Sequence, residues 1–202
     1  MVQRFTEFDF GVSWVMSFYH QDWYHEGPTA ADVVAKHLAE VDNAYVLAVR
    51  RDARTLLDGL PSATLQVLWD AGANHMPSWE RLGGGTQWTR TVVDLCDSRL
   101  SAEPDVRPLS GADTEDGAAQ LDAVLTEIDE ARFLVAGVRA ALADSARRCT
   151  PELAFRLLLR AMTVAPGGSL AQERYARLQA IGAALHHGEF VVGSVEFLVA
   201  TG

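Results

Sequence analysis

The chain has almost no lysine. Lys36 stands alone beside sixteen arginines, a bias that reads as genomic base composition rather than function. Cysteine is nearly as scarce, with only Cys96 and Cys149. The chain shows no basic stretch followed by an apolar leader. One distant cysteine pair in such a chain is expected to be two thiols in a cytoplasmic protein rather than a disulfide. No apolar run is long enough to span a bilayer, so no membrane partner is expected. Positive charge is short as well: 27 acids face 17 bases, for a formal net charge of −10. Phosphate backbones need a positive field, which argues against nucleic acid as a partner and favours a basic protein. A nucleophile elbow, a Walker loop, a thiol pair and a zincin helix are all missing. No catalytic residue, metal ligand or cofactor is therefore assigned.

What is present is helical periodicity. Gly11–Tyr19 forms an apolar run in which Trp14 and Phe18 share a face. Thr29 and Asp32 make a capping-box start for a stripe of Val33, Val34, His37, Leu38 and Val41. Asp42 is placed to cap the next helix, where Val46, Val49, Ala53, Leu56, Leu57 and Leu60 recur at spacings of three and four. A short helix follows Pro61. A loop over 74–85 ends in Gly83-Gly84-Gly85, and a helix over 86–100 carries Trp88 and Cys96. The glycine run has neither a preceding strand nor a following lysine, so it does not read as a phosphate loop. Residues 101–116 are rich in Pro, Ser and acid, and read as an acidic linker. Beyond it, a long helix is expected over 117–144, with Glu127, Asp129 and Glu130 as a solvated face. Thr150-Pro151-Glu152 is a strong helix start ahead of a segment apolar nearly all round. Ser169 and Gln172 suggest another capping box, and His186-His187-Gly188 a helix end. The last stretch, 189–199, is read as a short terminal helix. The fold expected is all-α: two packed bundles of about eight helices, with domains 1–100 and 117–202 joined by the linker 101–116. Residues 1–100 hold 13 acids against 8 bases and residues 117–202 hold 9 against 8, which places the acidic surface in the first half and the linker.

The segment densest in side chains that need partners is Phe18-Tyr19-His20-Gln21-Asp22-Trp23. It sits where an apolar helix runs out ahead of Gly27-Pro28. This order of aromatic, aromatic, His, Gln, Asp, aromatic, together with a late Trp88 in Gln87-Trp88-Thr89, resembles the contact-dependent growth inhibition immunity proteins. The resemblance covers residues from about Phe5 to Leu100. That family more often has Tyr then Phe before the His, and the second half of the chain carries no motif of it.

The resemblance implies a protein that binds and neutralises the toxic domain of a growth-inhibition effector, a cognate partner expected to be basic and nuclease-like. The motif residues Tyr19, His20, Gln21, Asp22, Trp23 and Trp88 are expected to be mainly structural, with Tyr19 and Trp23 in the core and Asp22 capping backbone. For toxin contact the exposed acids of the first half are the candidates: Glu26, Asp32, Glu40, Asp42, Asp52 and Asp58. Two alternatives stand beside this reading. One is a helical adaptor or scaffold whose second half binds another partner. The other is a hydrolase with an acid–base site formed by His20, Asp22, His25 and Glu26.

Overall fold

A computed structural model describes residues 3–200. The protein is all-α. Among the described residues there are ten α-helices, five short 3-10 turns and no strand, only one isolated parallel bridge between Leu170 and Val199. The chain divides into two compact units. One is Phe10–Leu109; the other combines Met1–Asp9 with Ser110–Gly202.

The first unit holds α1 (Gly11–Met16), α2 (Ala30–Glu40), α3 (Asn43–Gly59), α4 (Ser62–Gly72) and α5 (Gly84–Ser101). Helix α5 packs against α2, α3 and α4, and α3 also packs on α1. The stripe read from the sequence lies inside: Val46, Val49, Ala53 and Leu56 have no exposed surface. Thr29 and Asp32 form the expected capping box, each side chain accepting the other residue's backbone N–H. Asp42 precedes α3 at the N-cap, but its carboxylate accepts no capping bond. The glycine run serves packing. Gly83 and Gly84 adopt φ of 80° and 83°, and a Cβ on Gly85 would lie 2.4 Å from the backbone nitrogen of Gln66 in α4.

The second unit holds α6 (Leu121–Glu130), α7 (Ala136–Arg148), α8 (Pro151–Val164), α9 (Gln172–Ala184) and α10 (Glu189–Gly193). Helix α8 contacts α6, α7 and α10, and residues 151–159 are all buried. Its start follows the sequence: the Thr150 hydroxyl accepts the N–H of Leu153, with Pro151 at the first helical position.

Four expectations are corrected here. The single helix over 117–144 is two, broken at residues 131–135. Arg174, reaching in from α9, donates to the carbonyls of Glu127 and Glu130, which also accept the backbone N–H of Ala131 and Arg132, and so braces the end of α6. Glu127 does not belong to a solvated face; it is buried and accepts from Arg174 and Arg177. Ser169 is not a cap, since α9 begins at Gln172 behind an extended Ala171 with no side-chain bond. Finally, residues 110–116 are docked into the second unit rather than running free. Phe5 N–H donates to Asp113, and Glu152 N–H donates to the carbonyl of Asp116. The terminal segment is helical over Glu189–Gly193 and Glu196–Leu198 before the bridge at Val199.

Candidate functional site

The motif opens where α1 ends. Backbone bonds from Ser17, Phe18 and Tyr19 back to Trp14, Val15 and Met16 tighten the exit, and a 3-10 turn over Trp23–His25 follows. This turns the Tyr19 ring inward, where it has no exposed surface and its hydroxyl donates to the carbonyl of Ala30 at 2.9 Å. Burial raises the Tyr19 pKa well above its ordinary value, so the phenol keeps its proton and that bond.

Tyr19 is one wall of an aromatic box. Trp79 and Trp88 meet it, and Trp69 meets both of them, with ring centroids 5.7–6.2 Å apart, edge-on or tilted as ring quadrupoles favour. Trp23 touches Tyr19 from the lip at 5.8 Å and is half-buried. The indole N–H of Trp69 donates to Thr89 and that of Trp79 to Asp70, while the buried N–H of Trp88 has no hydrogen-bond partner. The polar half of the motif faces outward: His20, Gln21 and Asp22 are exposed. Asp22 does not cap with its carboxylate; its backbone N–H donates to His20 Nδ1 at 3.3 Å. His25 is exposed against the ring of Tyr24, and Glu26 is engaged by Lys36. Among the described residues no three His, Cys, Asp or Glu side chains are grouped to hold a metal.

The six candidate acids do not form one face. Asp52 is corrected outright: it is 2 % exposed, paired with Arg51 at 2.8 Å, and accepts the N–H of Val12 at the start of α1. It locks α1 to α3 and offers nothing to a partner. Glu26 is held by Lys36, whose hydrogen bond lowers the Glu26 pKa. Asp32 is exposed but occupied in its capping box. Asp58 is exposed at the far end of α3 from Asp42, about 24 Å away at 1.5 Å per residue.

Glu40 and Asp42 remain, and they belong to a patch that the sequence alone did not suggest. The side chain of Glu40 is 61 % exposed and lies 3.9 Å from His37. His37 stacks on Phe18 at 4.1 Å, Phe18 meets Trp14 edge-on at 4.7 Å, and Trp14 meets Tyr45 at 5.3 Å. Tyr45 stands one turn from Asp42, its N–H donating to the Asp42 carbonyl. Trp14, His37 and Tyr45 are each half-buried. Burial lowers the His37 pKa against the pull of Glu40, so at neutral pH the imidazole is uncharged and does not cancel that carboxylate. Only the spacing of Trp14 and Phe18 hinted at this row. Tyr45 joins it through packing between α1 and α3.

Cys96 and Cys149 are not joined in a disulfide. Cys96 is buried, and burial with the nearby Asp97 charge pushes its pKa up to about 12. No helix of the described residues is long and apolar enough to cross a membrane. In comparison with known proteins, the chain matches no family model, no curated protein and no solved structure.

Proposed function

We propose that this protein is an immunity-type binder that neutralises a basic, nuclease-type growth-inhibition toxin domain by covering its working face. The observation that carries the reading is the patch on the first unit: half-buried Trp14, His37 and Tyr45 with Phe18, the exposed Glu40 beside His37, and the exposed Asp42 one turn before Tyr45. Partly buried aromatics beside charged rim residues match the makeup of interface hot spots. The net charge of −10 supports capture of a basic partner, because an attractive field raises the encounter rate. The aromatic box beneath the motif supplies a rigid frame, and neutralisation by covering needs no bond-making by this chain. The motif resemblance supports the kind of partner we propose, and the patch supports the face we assign to it.

The test is a binding assay between the full chain and any effector toxin domain encoded beside it. One-to-one binding with loss of toxin activity is expected. Reversing Glu40 and Asp42 together to lysine should slow association at least ~10-fold at low salt and flatten its salt dependence. Trp14→Ala should act on dissociation instead. Asp58→Lys is the matched control at the other end of α3 and should change association much less. Failure to bind that domain, or equal effects from both ends of α3, would refute the assignment.

A further inference from the structure

The second unit contains a cavity that plays no part in the reading above. It has a volume of about 350 Å³ and lies between α9 and α10. Tyr175 and Gln179 of α9 form one wall; Glu189 and Phe190 of α10, with Glu196 beyond it, form the other; His187 lies at the connecting turn. Close backbone approaches hold the walls in place. A Cβ on Gly182 would meet Val192 at 2.5 Å, and one on Gly188 would meet the backbone of Glu7 at 2.3 Å. His187 is 7 % exposed, stacks on Phe155 and lies 3.4 Å from the carboxylate of Glu152, so this part of the wall is anchored in the core.

The chemistry of the lining is one-sided. Glu189 and Glu196 are both exposed, both line the cavity, and neither has a basic partner among the described residues. The buried acids of this unit, Glu127 and Glu152, are by contrast each met by arginine. Burial raises the pKa of the Tyr175 phenol, and the fields of Glu196 and Glu189 raise it further, while a hydrogen bond to Gln179 works the other way. Both carboxylates thus act on one point of the wall. Phe190 adds an aromatic surface that is 50 % exposed, stacked on Phe8 at 4.9 Å.

We infer that this cavity binds an alkyl cation, a guanidinium or ammonium group on a short apolar arm, with Glu189 and Glu196 accepting its hydrogen bonds and Tyr175 and Phe190 flanking the arm. Carboxylates favour such groups through charge-assisted bonds, and aromatic walls add cation–π attraction. The volume suits a small ligand or a single side chain. The same chemistry is offered by a free alkylamine and by an arginine or lysine of a protein.

The experiment is an NMR titration of the full chain, following the backbone amides of Gly182, Gly188 and Gly193. n-Butylguanidinium should move them saturably, and n-butylurea, its neutral isostere, should not. Glu189→Gln with Glu196→Gln should weaken the cation at least ~10-fold while the thermal midpoint stays at the wild-type value. The peptide acetyl-Gly-Arg-Gly-amide separates the sources: tighter binding than butylguanidinium assigns a protein side chain, weaker binding a free small molecule. Equal shifts from the urea, or no saturable shift from the cation, would overturn the inference on the unaltered protein. An unchanged affinity in the folded double variant would overturn it as well.

Discussion

Glu152 and Arg156 lie one turn apart on α8, both almost wholly withdrawn from water and bonded at 2.6 and 3.0 Å. Burial opposes the charge on Glu152, but the Arg156 guanidinium, with His187 and Arg4 behind it, holds the carboxyl well below the usual carboxylate range. A carboxyl lowered on folding adds stability above its unfolded pKa of about 4.3, and that addition is lost as pH falls towards the folded value. Glu152→Gln takes the carboxylate away from the buried Arg156 guanidinium and should cost about 3–5 kcal/mol at pH 7. The gap in thermal midpoint between wild type and variant should narrow from pH 5 towards pH 3; a gap that stays constant would contradict the assignment. The aromatic box offers a neutral counterpart. Thr89 accepts from Trp69 and donates to the carbonyl of Gly85. Thr89→Val keeps the shape but leaves the buried indole N–H unpaired, and should cost about 1–3 kcal/mol. In urea this would appear as a lower midpoint with an unchanged slope.

At the scale of elements, the break between α6 and α7 shows where sequence patterns stop being informative. Ile128, Ala131 and Val135 keep helical spacing straight through it, so the pattern reads as one helix. What stabilises the break is Arg174, more than forty residues downstream. Arg174→Ala should destabilise by about 3–5 kcal/mol, because it removes the buried cation that pairs with Glu127 and ties the end of α6 to α9. Arg177 also reaches Glu127, but its side chain is 47 % exposed. Arg177→Ala should cost no more than about 1 kcal/mol, and thermal melts of the two variants side by side would test the ranking. The helix starts at Thr29 and Thr150 were legible because cap and first turn are neighbours in sequence. The box was legible in part, since Tyr19 and Trp88 belong to the motif, while Trp69 and Trp79 are recruited by tertiary packing. Asp52 read as an exposed acid for the same reason. The helix shows which turn it occupies, but not that α1 will place a backbone N–H on it.

At the scale of the molecule, the boundary predicted by the acidic stretch and the boundary observed differ in kind. Charge and proline content separate 1–100 from 117–202, whereas the compact units are Phe10–Leu109 and the pair of segments on either side of it. Composition does not reveal that the first residues return to the last ones. All five tryptophans lie within Phe10–Leu109. A fragment of residues 10–109 should therefore fold cooperatively with the near-ultraviolet signature of the full chain. A fragment of residues 117–202, which lacks Arg4 and the docked residues 110–116, should not melt cooperatively. Circular dichroism on both fragments would decide this, and an unfolded 10–109 would count against the division.

Arg4 donates to the carbonyl of Leu185, 181 residues further along. On a ribosome those two groups exist together only after Leu185 has been added. The span from Phe10 to Leu109 can close while synthesis continues, but the segment around Arg4 must wait for its carbonyl until the far side of that span has been made. Maturation of the second unit is thereby timed by its later-made segment rather than by its earlier one.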